Sequence, residues 1–144
     1  MSVLWFDGLL AQVRDAGVYF LPEDDIAELR EAAAVNCFRC VRVDLQGCHD
    51  KSGLLVCLAD ALHLPAHFGQ NWDALADALG DMRAHDTKGL VIVLEHSEGL
   101  RRDTVAVFET AMEVLQAASS EWAERGTPLW TFVALPETEF DALD

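Results

Sequence analysis

The sequence predicts an α/β fold with a small parallel sheet of about three strands packed by helices, and three features predict it. Leu90-Val91-Ile92-Val93-Leu94 is apolar without alternation, which suits a parallel strand covered on both faces. The stretch from about Asp103 to Glu124 is long enough to be a crossover helix leading to a further parallel strand. Strand-like runs at Phe38 to Leu45 and Trp130 to Leu135 bracket these segments. From Phe38 onward the order is therefore strand, two helices, strand, helix, strand, which is an α/β order.

The elements follow in turn. Leu4, Trp5, Leu9, Leu10 and Val13 recur at helical spacing and Gly17 stops the pattern, so an extra N-terminal helical segment is expected. Val18 to Leu21 reads as a short strand. Pro22 then stands at a helix start, with Ile26, Leu29 and Ala33 on its apolar face. After the strand ending at Leu45, Gly47 turns the chain and Ser52 is the expected cap of a helix carrying Leu54, Leu55, Leu58, Ala61 and Leu62. A further helix is expected from Asn71 to Asp81, released by Gly80 and the polar run Arg83 to Lys88. Gly126 and Pro128 end the long helix. The whole of 1–144 is expected to be a single domain, with residues 1–37 an N-terminal extension, 38–135 the core and 136–144 an acidic tail.

At 144 residues and 51% hydrophobic, the chain can bury one substantial core. Its formal charge of -15 argues against a surface that neutralises phosphates, and so against direct nucleic-acid binding, while it would steer the chain towards a basic partner. No apolar run approaches the roughly 20 residues needed to span a bilayer, and Met1 to Asp7 lacks a basic flank before a long apolar stretch. A cytoplasmic protein with no membrane association is expected. The four cysteines at positions 37, 40, 48 and 57 are then expected to be reduced thiols. Cys37 and Cys40 have zinc-like spacing that Cys48 and His49 could complete. Strand alternation points Cys40 into the core, however, and no metal is expected.

The most informative stretch runs from Leu64-Pro65-Ala66-His67-Phe68-Gly69-Gln70-Asn71 to Leu79. Pro65 and Gly69 punctuate a loop, Asn71 is a good N-cap, and Trp72, Leu75 and Leu79 share one apolar helix face. Asp73, Asp77 and Asp81 recur at four-residue spacing on another face, where like charges one turn apart oppose the helix by about a few tenths of a kcal/mol each. An opposing positive surface would relieve that repulsion. Asp73 alone is accounted for by the positive helix N-terminus, whereas Asp77 lies beyond the first turn and gains little from it. Taken from composition alone, Asp77 belongs to a solvated face.

This stretch resembles the signature of the barstar family, small intracellular inhibitors of extracellular ribonucleases, which reads Leu-Pro-x-aromatic-aromatic-Gly-x-Asn-x-Asp-Ala-Leu followed by a further aspartate. The likeness extends more loosely from Val41 to Leu135. It implies a barstar-like fold, no catalytic residues, no cofactor and a one-to-one complex with a basic extracellular-type ribonuclease, the free protein being a monomer. In that family the loop and helix plug the substrate cleft, with helix carboxylates standing where cationic side chains would hold RNA phosphate. A carboxylate accepts paired hydrogen bonds from a guanidinium and offers no bond to cleave. By position, His67 and Phe68 match the aromatic pair, Gly69 the loop glycine, Asn71 the cap, and Asp73 and Asp77 the helix acids.

Departures occur at Ala76, where the family can carry tryptophan, and at Gly80-Asp81-Met82, where it can carry Thr-Gly-Trp. Large aromatics anchor interfaces, so their loss implies a target with a different rim. A further inhibitory glutamate late in the family's long helix matches either Ser120 or Glu121. Two rivals stand beside inhibition. Glu95 and His96 would be the acid-base pair of a small hydrolase, although strand alternation opposes them and no nucleophile motif or Gly-rich loop accompanies them. An acidic adaptor or regulator binding some other basic protein is the second.

Overall fold

The computed structural model describes residues 10, 12–64, 71–82 and 88–136. Its centre is one sheet of strands β1 (Val18–Pro22), β2 (Arg39–Asp44), β3 (Leu90–Glu95) and β4 (Leu129–Leu135), all parallel in the order β1-β4-β3-β2. The helices are α1 (Ile26–Val35), α2 (Lys51–Leu62), α3 (Trp72–Met82), α4 (Glu98–Asp103) and α5 (Val105–Glu124). The first connection carries the chain from one edge of the sheet to the other, and the next two step back. Right-handed crossovers then put α1 on one face and α2 to α5 on the opposite face.

Two cores result. Leu90, Ile92 and Leu94 of β3 with Leu129, Val133 and Leu135 of β4 pack against α2, α3, α4 and α5. Val91 and Val93 with Trp130, Phe132 and Ala134 pack against Leu29, Ala32 and Ala33 of α1 and against Leu10 and Leu21. This is why β3 and β4 read as continuous apolar runs: alternate side chains enter different cores, and neither face meets water.

The sheet corrects the sequence expectation, since it has four strands and not about three. The additional strand comes from the N-terminal extension, where Val18 to Pro22 pairs with Thr131 to Leu135. All seven residues of β4 are buried, so its outer backbone edge needs hydrogen-bond partners that water cannot supply, and β1 provides them. Pro22 closes β1 in extended conformation instead of opening a helix, and a 3₁₀ turn at Glu23–Asp25 comes between it and α1.

The other differences are local. Helix α2 begins one residue before Ser52, so its cap is Asp50, whose Oδ1 accepts from the Gly53 N–H at 2.8 Å. The long helix expected from about Asp103 to Glu124 is α5, and the short helix α4 that precedes it, separated from it by Thr104 at φ -144 and ψ 65, was not expected. Of the expected helix near the N-terminus, residues 1–9 and 11 lie outside the described residues. Leu10 is helical and 1% exposed, and Val13–Asp15 form a 3₁₀ turn. The acidic tail beyond residue 136 also lies outside them.

Candidate functional site

Helix α3 is built by local chemistry at its start and by tertiary packing along its length. Asn71 Oδ1 accepts from the Ala74 N–H at 2.7 Å and the Asn71 carbonyl accepts from the Leu75 N–H at 3.0 Å. That is the N-cap expected from the sequence. Trp72 is half-buried, with the Lys51 ammonium 5.5 Å from its ring centroid, so the first residues of α2 and α3 are tied by a cation–π contact. Leu75, Ala78 and Leu79 are buried. Asn71→Ala is expected to destabilise the protein by about 1 kcal/mol through loss of the cap, read from urea denaturation with an unchanged slope.

The opposite side of α3 carries the acids. Asp73, Ala76, Asp77 and Asp81 are exposed, and Gly80 is half-exposed with nothing within 4 Å of the place a Cβ would occupy. None of the three aspartates has a hydrogen-bond or ion-pair partner among the described residues. Successive acids stand about 6 Å apart along the axis, because four residues rise about 1.5 Å each. Ala76 and Gly80 leave the surface beside them low, so the carboxylates project over small residues. The helix itself does not repay their mutual repulsion beyond the first turn, where only Asp73 benefits from the positive end.

A residue that no sequence motif singles out holds this helix in place. Trp122 of α5 is 1% exposed and its indole N–H donates to the Leu79 carbonyl at 3.0 Å. Leu79 lies in the last turn of α3, where carbonyls have no partner within the helix, so Trp122 closes that end and fixes it against α5. No spacing rule could find this contact, since the partners are 43 positions apart. Ser120 and Glu121 immediately precede Trp122 on α5. Both are exposed, but Glu121 already has a loose partner in Arg125 at 3.8 Å, unlike the α3 aspartates.

The loop residues matched by sequence, His67, Phe68 and Gly69, lie outside the described residues. The chain leaves α2 just before them through a well-defined stop. His63 adopts the left-handed conformation at φ 54, and the Leu64 N–H donates to the Ala59 carbonyl at 2.9 Å.

Glu95 and His96 do not behave as strand alternation predicts. His96 follows the strand with φ 59, so alternation stops at Glu95 and both residues line one open hollow of about 460 Å³ with Glu23, Asp24, Arg30 and Arg42. Each is held by β2 nonetheless. Arg42 donates to both Glu95 oxygens, at 2.8 and 2.6 Å, and His96 Nδ1 lies 2.8 Å from Asp44. The Asp44 carboxyl is held below its usual range by the Gln46 N–H and by His96, and the same contact raises His96. The two groups thus balance neighbours on β2, and among the described residues no serine, threonine or cysteine lines the hollow with them.

The four zinc-like ligands are drawn apart. Cys37 is exposed, Cys40 packs half-buried against the α1 side of the sheet, Cys48 faces Cys57, and His49 Nδ1 lies 2.6 Å from Asp103. Among the described residues, no three His, Cys, Asp or Glu side chains converge as a metal site would require.

Comparison with known proteins adds three findings. Solved structures share the fold, among them the following two. Cdc6p from Pyrobaculum aerophilum matches at TM-score 0.62 and 15% identity, over 95% of this chain and 38% of that one. The Drosophila ORC structure bound to DNA matches at TM-score 0.52 and 16% identity, over 95% of this chain and 37% of that one. The chain thus spans under two fifths of either structure, and at such identities the likeness is one of fold alone. A search of curated proteins found no match. The family model of barstar, the barnase inhibitor, matches residues 38–134, which takes in β2, α2, α3, β3, α4, α5 and most of β4. That match covers about two thirds of the sequence and spans the whole of the capped, aspartate-bearing helix, and on it the chain belongs to the barstar (barnase inhibitor) family.

Proposed function

We propose that this protein inhibits a basic ribonuclease by laying α3 and the loop before it across the enzyme's active site. The observation that carries this is the exposed row Asp73, Asp77 and Asp81, without a partner among the described residues, on a helix that Asn71 and Trp122 hold at its two ends. Unpaired like charges on a rigid face are an energetic liability in the free protein and an asset against a cleft lined by arginine and lysine. In such a complex Asp73 and Asp77 accept from cationic side chains that otherwise hold RNA phosphate. Asp81 extends the row, and either Ser120 or Glu121 borders it from α5. Ala76 and Gly80 leave room for a bulky rim residue of the enzyme, which suits a target unlike that of family members with aromatics there. His67, Phe68 and Gly69 complete the contact from the loop. The complex is one-to-one, forms in the cytoplasm and needs no cofactor.

The direct test is residual RNA cleavage by the basic ribonuclease encoded nearest this gene, with barnase as a second probe, titrated against the full chain. Stoichiometric loss of cleavage supports inhibition; full activity of both enzymes at excess protein overturns it. Association is expected to slow by more than tenfold between low and moderate salt, because the -15 chain attracts a basic enzyme over a Debye length of about 10 Å at 0.1 M. Dissociation changes less. Stopped-flow association rates that stay flat across that range would point to an apolar adaptor surface in place of an acidic one.

A further inference from the structure

Cys48 and Cys57 lie far from the aspartate row in role and are not used by it. Cys48 sits in the turn after β2 and is 6% exposed; Cys57 is half-buried in the middle of α2. Their sulfurs are 2.9 Å apart, under 1 Å more than a disulfide bond of about 2.05 Å. The surroundings hold this approach in place. Asp50 caps α2 on the Gly53 N–H, and a Cβ on Gly53 would come 3.2 Å from Asp50 Oδ1 and 3.7 Å from Cys48 Sγ, so the capped first turn of α2 lies directly against the Cys48 side chain. Both side chains pack in the core on the α2 side of the sheet, and within it each thiol meets the other.

We propose that Cys48 and Cys57 are a redox pair that closes into an intramolecular disulfide by exchange with a small-molecule disulfide, stapling the β2–α2 turn to α2. Cys57 is the attacking group because it is the one a small molecule can reach. Its thiolate bonds to one sulfur of the small-molecule disulfide and displaces the other as a thiolate, which takes up the proton that Cys57 gave to solvent. Cys48 then loses its proton to solvent and attacks Sγ of Cys57, expelling the second small-molecule thiol. Two protein thiols are oxidised, one disulfide is reduced to two thiols, and protons and electrons balance. Burial, and then the hydrogen bond with Cys57, push the Cys48 thiol up to about 12, so Cys48 is not the first group to attack. Once Cys57 is in a mixed disulfide it no longer places a negative charge against Cys48.

The experiment uses the full chain with Cys37→Ser and Cys40→Ser, so that only the pair is left, incubated with oxidised glutathione and then alkylated and weighed intact. Loss of two alkylatable thiols with no glutathione retained, a linked Cys48–Cys57 peptide on digestion, and a melting midpoint higher by about 5 °C or more are expected. With Cys48→Ser added, glutathione is trapped on Cys57, and with Cys57→Ser added Cys48 stays unmodified under native conditions. The same digestion of the unsubstituted protein gives the same linked peptide. Should Cys48→Ser fail to fold, Cys48→Ala repeats the trap, and the pair-only protein decides without either. Retention of glutathione on Cys57 with Cys48 intact, closure only in denaturant, or a Cys37–Cys40 link in the unsubstituted protein with the pair left reduced would each overturn the proposal.

Discussion

Replacing Asp73 and Asp77 together by asparagine is expected to abolish protection against the target ribonuclease while leaving the fold intact. Each carboxylate is exposed in the free protein, so its removal changes folding stability by no more than about 0.5 kcal/mol, and relief of the one-turn repulsion favours the variant slightly. In the complex the balance is different. A cationic side chain buried against an amide that carries no charge is left uncompensated, at a cost of about 3–5 kcal/mol for each pair broken, or about two to three and a half orders of magnitude in affinity. Calorimetric titration gives the affinity, residual RNA cleavage at fixed enzyme gives the protection, and thermal melting checks the fold. The matched control is Glu95→Gln with His96→Ala, which removes both members of the supposed acid-base pair and is expected to leave protection unchanged. If a folded Asp73→Asn, Asp77→Asn protein still protects and the control does not, inhibition through α3 is wrong.

The second large effect is on stability. Trp122→Ala is expected to cost about 3–5 kcal/mol, because it removes the largest buried side chain between α5 and α3. It also leaves the Leu79 carbonyl without a donor. Trp122→Phe keeps most of the packing and isolates that hydrogen bond, with an expected loss of about 1–2 kcal/mol. Urea denaturation of both variants separates the two contributions. A loss below 1 kcal/mol for the alanine variant would show that α3 is held by its other contacts alone.

Helix α3 was legible in the sequence because its determinants are local. An N-cap bonds three residues ahead and an acidic row needs only four-residue spacing, so Asn71, Asp73, Asp77 and Asp81 could be placed from the chain order. The parallel strands β3 and β4 were legible for a related reason: burial on both faces leaves a continuous apolar run. The end of the strand was not, since the left-handed backbone at His96 brings it beside Glu95 in one hollow, and that conformation has no glycine to announce it.

By itself, then, the sequence determined the α/β class, the parallel strands, the capped helix with its aspartate row and the family that the row resembles, all of them set by contacts between residues a few positions apart or by burial patterns. The tertiary structure alone decided that Val18–Pro22 completes the sheet beside β4, that Trp122 closes α3 through Leu79, and that Cys48 meets Cys57 across the start of α2. It also decided that a separate short helix, α4, precedes the long one, with the Thr104 hydroxyl between them donating to the His49 and Leu100 carbonyls. Most of these contacts join segments far apart in the chain. Their partners are chosen by which surfaces the crossovers bring together, and no periodicity in the sequence carries that information.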